Sequence, residues 1–364
     1  MTGRVAVVGG GLAGFIAYLT LRRGGLGPDE ITVFASEPDP AAAWRRRAAA
    51  IRQTHMRSES DGHCLPTSFP GLAVRDARQR RSLVPLVRSI CDRYHPTVED
   101  FLAHVEELRA CSGWTTRVFP ARVAHVRAVA GGFELDDQGV FQHVLLATGH
   151  PGNAMPEDLG SDSRAVHAYE PHDYAPTVCV VGAGLAAATE WLNALTAGST
   201  VISVRRREPV RRPLNVPRPY LSRRGLSAFH RLPPMRRVGL LRSLLVPSYP
   251  PGREWDEPLA RAGADGRFRI EPSVNGADQV ICATGFLRGY RHDALLRPLV
   301  DEHALATTEE WVVLAPDSTV PALTDSTRTL ALSGVAAQLA YPAADTLMGA
   351  RYVAHAFLRR CRTR

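Results

Sequence analysis

Residues 1–14, MTGRVAVVGGGLAG, decide the fold of this chain. The apolar run at 5–8 passes directly into a turn in which Gly9, Gly11 and Gly14 occupy the glycine positions of G-x-G-x-x-G. The first glycine permits the tight turn, the second lets backbone N–H groups approach a pyrophosphate, and the third lets the helix pack on the strand. The phosphate then lies at the positive end of a helix. The stretch predicts a dinucleotide-binding strand, turn and helix; a plain βαβ turn is the alternative.

A second copy of this pattern occurs at 178–187, VCVVGAGLAA, where Gly182, Gly184 and Ala187 form G-x-G-x-x-A. One glycine-rich turn is weak evidence, because such turns are common, but two in one chain are far more specific. The pair predicts either two bound dinucleotides or one duplicated domain that has lost a site.

The strands that follow the two turns differ in charge. After the strand at 31–34, Ala35 stands where an acid would hold the ribose hydroxyls, and Glu37 follows two residues later. We expect Glu37 to reach the ribose; a solvated loop carboxylate is the alternative. The strand at 200–204 is followed by arginine instead, at positions Arg205, Arg206, Arg207 and Arg211. Arginine favours a 2′-phosphate through charge-assisted hydrogen bonds, so the second cofactor is predicted to be NADPH.

The sequence Ala-Thr-Gly ends two predicted buried strands, at 147–149 and 283–285. Residues this small allow a cofactor to approach closely. Near the C-terminus, a predicted buried strand at 329–332 runs into a turn at Gly334, and Pro342 opens a further helix.

Composition excludes several classes of function. The chain has 364 residues, 45% of them hydrophobic, and a net charge of +8, yet it contains no lysine. An all-arginine basic set reflects coding bias as much as a polyanionic partner, and no basic helix is interleaved with aromatics, so nucleic-acid binding is not expected. The six cysteines form no C-x-x-C pair and predict neither a metal site nor disulfides. We expect a cytoplasmic protein without a signal peptide or membrane span.

These features together resemble the two-dinucleotide-binding-domain flavoproteins over nearly the whole chain. The resemblance implies an α/β fold of two Rossmann-like domains, with an NADPH-binding domain at 171–287 inserted into an FAD-binding domain formed by 1–170 and 288–364. The residues expected to contact FAD are Gly9, Gly11, Gly14, Glu37, Gly334, Asp345, Thr346 and Leu347. Those expected to contact NADPH are Gly182, Gly184, Ala187, Arg205, Arg206, Arg207 and Arg211. Further residues expected to contact a cofactor are Trp44, Thr148, Gly149, Thr284 and Gly285.

Within this superfamily, the disulfide reductases require a redox-active cysteine pair, which is missing here. The chain is more similar to the N-hydroxylating and Baeyer–Villiger class B monooxygenases. Their G-G-x-W corresponds to Ala41-Ala42-Ala43-Trp44, and their histidine-containing linker to the stretch 167–174. The resemblance implies that NADPH reduces FAD and that O2 then forms a flavin C4a-(hydro)peroxide, which oxygenates a small molecule: an amine, a ketone or a biosynthetic intermediate that is free or carrier-bound.

An arginine near the flavin would stabilise a peroxy anion, and the candidates are Arg45, Arg52 and Arg57; a solvated arginine face is the alternative. The Pro- and Arg-rich segment 210–255 is expected to cover a substrate entrance or partner surface, or else to be a surface insertion. Two other functions remain open. One is an NADPH-dependent reductase that passes electrons to a ferredoxin-like protein or a quinone, and the other is a non-catalytic flavoprotein that senses dinucleotides.

Overall fold

The computed structural model describes residues 2–56, 71–90, 94–212 and 216–362. Its strands are β1 (Thr2–Val8), β2 (Ile31–Phe34), β3 (Val118–Phe119), β4 (Val126–Val129), β5 (Gly132–Leu135), β6 (Val140–Leu146), β7 (Ala165–His167), β8 (Thr177–Val181), β9 (Thr200–Val204), β10 (Val210–Arg211), β11 (Ser248–Tyr249), β12 (Phe268–Ile270), β13 (Gln279–Cys282), β14 (Thr307–Thr308), β15 (Trp311–Val312) and β16 (Thr329–Leu332). Its α-helices are α1 (Leu12–Arg23), α2 (Ala42–Ala50), α3 (Leu72–Gln79), α4 (Val84–Ile90), α5 (Val98–Ser112), α6 (Leu185–Thr196), α7 (Arg223–His230), α8 (Pro234–Leu244), α9 (Arg253–Ala264), α10 (Leu296–Glu302) and α11 (Leu347–Arg362).

The first sheet is built around the N-terminal strand β1, in the order β3-β2-β1-β6-β5-β4. Strands β3, β2, β1 and β6 are parallel, β4 and β5 form an antiparallel extension, and β16 pairs in parallel with β6. Strand β1 is fully buried from Val5 to Val7, because helices cover both faces of a parallel sheet. Helix α1 packs against α11 near the C-terminus.

The second sheet has the order β12-β9-β8-β13-β7, and every pairing in it is parallel. Helix α6 leaves β8 through the second glycine-rich turn and buries Trp191 completely. This sheet begins at Ala165, before the boundary expected after residue 170. The second sheet is formed entirely between β6 and β16, so the predicted α/β fold of two Rossmann-type domains, one inserted into the other, is confirmed.

Much of the Pro- and Arg-rich segment 210–255 packs on the first domain. Phe229 and Val238 are buried in a cluster with Leu339, and His230 Nε2 donates a 2.6 Å hydrogen bond to the carbonyl oxygen of Ala340. Because its apolar side chains are buried, this part of the segment is not a solvated insertion. It lies against the stretch of chain that leads to Asp345.

In the described ranges, no helix is both long enough and apolar enough to cross a lipid bilayer.

Candidate functional site

The first glycine-rich turn has one open position between two crowded ones. Gly9 has φ of +111°, and a Cβ atom there would lie 2.2 Å from the carbonyl oxygen of Ala147. A Cβ on Gly14 would lie 1.9 Å from the carbonyl oxygen of Gly9, whereas a Cβ on Gly11 would meet no atom within 4 Å. The space beside Gly11 is therefore free for a ligand at the start of α1. This is the shape that a bound pyrophosphate requires.

The second turn repeats this geometry in the second domain. Gly182 has φ of +140°, and a Cβ there would lie 2.4 Å from the carbonyl oxygen of Ala283. Beside Gly184 there is again no atom within 4 Å. Ala187 is fully buried, and the first turn of α6 carries no acidic residue. The residues of both turns thus fit a dinucleotide phosphate.

The two Ala-Thr-Gly stretches leave the carboxyl ends of β6 and β13. Gly149 and Gly285 have left-handed backbones, with φ of +78° and +82°, and each borders open space. Their threonines bond to protein instead: Thr148 Oγ1 donates to Asp293 Oδ2 (2.7 Å), and Thr284 Oγ1 donates to the carbonyl oxygen of Ala154. The glycine backbone, rather than the threonine hydroxyl, is thus available to a cofactor.

The two residues after β2 that are predicted to contact a cofactor both interact with protein side chains. Glu37 is exposed and pairs with Arg46 at 3.0 Å. Trp44 packs edge-to-face on Phe101, with ring centroids 4.9 Å apart, at the border of the first core.

The C-terminal residues expected near a flavin lie between β16 and α11. Gly334 has φ of +68° and borders open space. Asp345 lies in an open recess: its side chain is exposed at the mouth, and the protein packed around it raises the pKa of its carboxyl group. Thr346 accepts a 3.2 Å hydrogen bond from the Gly349 backbone, and Leu347 opens the helix.

The arginines proposed as catalytic do not converge. Arg45 pairs with Asp39 at 3.1 Å. Arg52 pairs with Asp173 at 3.3 Å and lies 4.5 Å from the centre of the Tyr174 ring, which ties the end of α2 to the second domain. Arg57 lies outside the described residues.

The arginines proposed to bind a 2′-phosphate have different surroundings. Arg205 pairs with Glu208 at 2.8 Å and is 11% exposed. Arg211 pairs with Asp256 at 2.7 Å and lies 4.1 Å from the centre of the Tyr249 ring. Arg206 and Arg207 are exposed and have no ion pair with any described residue.

A stack of rings occupies the junction where the chain crosses between the domains. His150 stacks on Phe286 at 4.1 Å, and Tyr169 stacks on the same phenyl ring at 4.8 Å. The two crossing segments also pair through their backbones, because the amide of Ala154 donates to Gly285 (3.0 Å) and that of Leu287 donates to Gly152 (2.9 Å). The guanidinium carbon of Arg47 lies 4.5 Å from the Phe286 ring centre.

This junction was not predicted from the sequence, although the sequence contains a signal for it. His150 and Phe286 each directly follow an Ala-Thr-Gly stretch, so both stand just beyond the carboxyl end of a parallel strand. In open α/β sheets that edge is where ligands bind.

The junction is electropositive around a neutral histidine. Burial, with smaller contributions from Arg47 and Arg288, lowers the pKa of His150 to about 3. Burial also lowers the pKa of His167, whose Nε2 donates to the Gly285 carbonyl oxygen at 2.9 Å. Both imidazoles are therefore uncharged at neutral pH.

A separate cavity of about 850 Å³ lies between the end of α2 and the first half of α5. Its lining includes Arg45, Gln53, Thr54, His55, Glu99 and Leu102. Neither glycine-rich turn borders it.

The thiols Cys111, Cys179, Cys282 and Cys361 are all free. Cys64 and Cys91 lie outside the described residues. The described ranges contain no cluster of His, Cys, Asp or Glu that would hold a metal ion.

No protein-family model matches the chain, and no curated protein sequence matches it. Among solved structures, the ornithine N-hydroxylase of Kutzneria sp. 744 superposes with a TM-score of 0.72 at 16% identity, over 99% of this chain and 100% of the other. The cadaverine monooxygenase of desferrioxamine biosynthesis from Erwinia amylovora gives 0.72 at 13% identity, over 100% and 95%. The bacillithiol disulfide reductase of Bacillus cereus gives 0.60 at 14% identity, over 99% of each chain. The chain therefore shares the fold of flavin N-hydroxylases along its whole length, as its sequence predicts.

Proposed function

We propose that the protein is an FAD- and NADPH-dependent monooxygenase that oxygenates a small molecule. The observation that carries the proposal is the pair of open glycine positions, Gly11 and Gly184, each at the start of a helix, in two sheets that are joined at the ring stack of His150, Phe286 and Tyr169. Each turn follows a strand that pairs in parallel with a strand leading to this junction, so dinucleotides held by the turns would lie at the same edges of the sheets.

Different residues of the chain bind the two cofactors in this proposal. The backbone of 9–14 holds the FAD pyrophosphate, and Gly149 and Gly334 leave room for the ring system. The backbone of 182–187 holds the NADPH pyrophosphate, and the arginines after β9 hold its 2′-phosphate. When bound, FAD supplies the hydride acceptor and the reactivity toward O2. The protein contributes orientation and shields the reacting groups from water.

An amine is the substrate class that we favour. The fold is shared with an ornithine N-hydroxylase and a cadaverine monooxygenase, and both of these names specify amines. The proposal includes an amine that is free or carrier-bound. It also includes a cytoplasmic location for the protein.

Stopped-flow spectroscopy tests the reaction. NADPH should bleach the bound flavin, and mixing the reduced protein with O2 should give a transient absorbance band before oxidised flavin returns. A coupled screen of NADPH consumption over amines, ketones and sulfides then identifies the substrate. A protein that stays colourless after incubation with FAD would contradict the proposal.

A second candidate is an NADPH-dependent reductase, which the shared fold with a bacillithiol disulfide reductase favours. For this function, reduced flavin should return directly to the oxidised form in O2, without a transient band. A ferredoxin-like protein or a quinone should then accept its electrons. A third candidate, the dinucleotide sensor, would be excluded by flavin bleaching at a rate sufficient for turnover.

A further inference from the structure

Helix α2 carries three consecutive arginines that point in different directions. Arg45 pairs with Asp39 (3.1 Å), and Arg46 pairs with Glu37 (3.0 Å). Arg47 forms no ion pair with any described residue; its guanidinium lies against the Phe286 ring instead. Successive helical residues are rotated by about 100°, so a run of three cannot share one partner.

Arg47 is held in a poor environment for a charge. Burial lowers the pKa of its guanidinium, and the ionisable groups that interact with it are Arg46, the un-ionised phenol of Tyr169 and the uncharged imidazoles of His150 and His167. A half-buried cation without an anion costs free energy, because the contact with the Phe286 ring offsets only part of the desolvation.

Two further groups at the junction lack partners. Arg288, two residues after Phe286, is half-buried and has no ion pair with any described residue. Its charge acts to lower the pKa of both His150 and Asp345. The buried Nδ1 atom of His150 has no hydrogen-bond partner in the described part of the chain. Arg47 and Arg288 therefore bring to the junction two positive charges that have no ion pair with a described residue, and Asp345 is an acid on which Arg288 acts.

We propose that Arg47 and Arg288 bind an oxyanion at the domain junction. Two sources have this chemistry: the pyrophosphate of the nicotinamide dinucleotide, on the side turned away from the 182–187 backbone, and the carboxylate of a small-molecule substrate. Guanidinium groups suit both, since their fork of N–H donors matches two oxygens. The choice between these sources rests on the proposed function; the anion site itself does not.

The first test measures binding of inorganic pyrophosphate to the purified full-length protein by calorimetry. Arg47→Ala should weaken binding about tenfold or more, and Arg47→Lys should keep part of it, because a positive charge remains. Arg46→Ala is the matched control, since this neighbouring arginine is 63% exposed and already paired; it should change the affinity less than about twofold. Arg288→Ala should behave like Arg47→Ala. Thermal unfolding midpoints of all variants show whether each is folded.

The second test separates the sources with NADP+ and with the pair lysine and cadaverine, which differ by one carboxylate. If Arg47→Ala weakens NADP+ alone, the anion is a phosphate of the cofactor. If Arg47→Ala abolishes a preference for lysine over cadaverine, the anion is the substrate carboxylate. Either result supports the site.

The proposed anion site is overturned if Arg47→Ala and Arg46→Ala bind pyrophosphate, NADP+ and lysine with equal affinities. If the protein stays colourless with FAD but its pyrophosphate binding still depends on Arg47, the anion site is supported and the proposed redox function is contradicted.

Discussion

A Cβ atom on Gly14 would lie 1.9 Å from the carbonyl oxygen of Gly9. Two residues of one turn thus exclude a side chain by their own packing, whereas Gly11 between them faces open space. The three glycines of the first fingerprint consequently have two different functions, and substitution can separate them.

Gly11→Val should fold and lose FAD. The backbone of Gly11, with φ of −71° and ψ of −175°, is extended and suits any residue. The valine side chain therefore fills only the open space in which we propose that the pyrophosphate binds. We expect FAD affinity to fall at least about tenfold with the unfolding temperature of the flavin-free protein nearly unchanged. Flavin absorbance per protein and a thermal melt measure the two effects.

Gly14→Val is the contrasting control for that experiment. Its side chain collides with backbone, so the variant should be destabilised by about 3 kcal/mol or more. A yellow, fully loaded Gly11→Val protein would remove the first turn from the FAD site.

Gly184→Val should affect the other cofactor alone. The position has φ of −87° and ψ of −169° and borders open space in the second domain. We expect normal flavin content and at least about a tenfold loss of NADPH affinity. Flavin reduction rates against NADPH concentration provide the measurement, and equal loss of both cofactors would count against two separate sites.

Replacing Arg205 and Arg206 with alanine should erase the preference for NADPH over NADH. A charge-assisted hydrogen bond to a phosphate is worth about tenfold or more in affinity. The single variant Arg206→Ala should account for more of the effect, because Arg205 is already paired with Glu208. The ratio of kcat/KM for the two nucleotides is the readout; an unchanged ratio removes these arginines from the site.

The buried pair of His172 and Glu190 should make stability depend on pH. Burial alone would lower the pKa of His172, but its hydrogen bonds to Glu190 Oε2 (3.1 Å) and to the carbonyl oxygen of Glu170 (2.7 Å) raise it overall. A raised folded-state pKa stabilises fully below the unfolded value of about 6.5. That contribution is lost as the pH rises through the raised pKa.

The comparison should use the unmodified protein and His172→Gln. The stability difference between them should be largest at pH 6 and shrink toward pH 9, as measured by denaturant unfolding at each pH. Taking the difference cancels the opposite trend of His143 and His150, whose lowered pKa values make the protein less stable in acid. His292→Gln, which makes the same replacement at an exposed position, is the control for the substitution itself.

The sequence alone determined the two glycine-rich turns, because their geometry is local. A turn that needs φ of +111° at Gly9 and no side chain at Gly14 imposes its requirement on a few consecutive residues. The Rossmann-type fold, and the insertion of one domain into the other, follow from the order in which those local units occur.

The tertiary structure decided where the charged side chains point. Arg45, Arg46 and Arg47 are equivalent in the sequence, and only the seating of α2 between two domains directs Arg47 to Phe286. The sequence makes Arg52 a candidate to stabilise a peroxy anion near the flavin, but in the structure it pairs with Asp173, far along the chain. Likewise, β7 is too short to be predicted locally and exists because β13 offers it a parallel edge. The backbone conformation of a glycine-rich turn depends on a few neighbouring residues, whereas ion pairs and short strands depend on partners that only folding brings together.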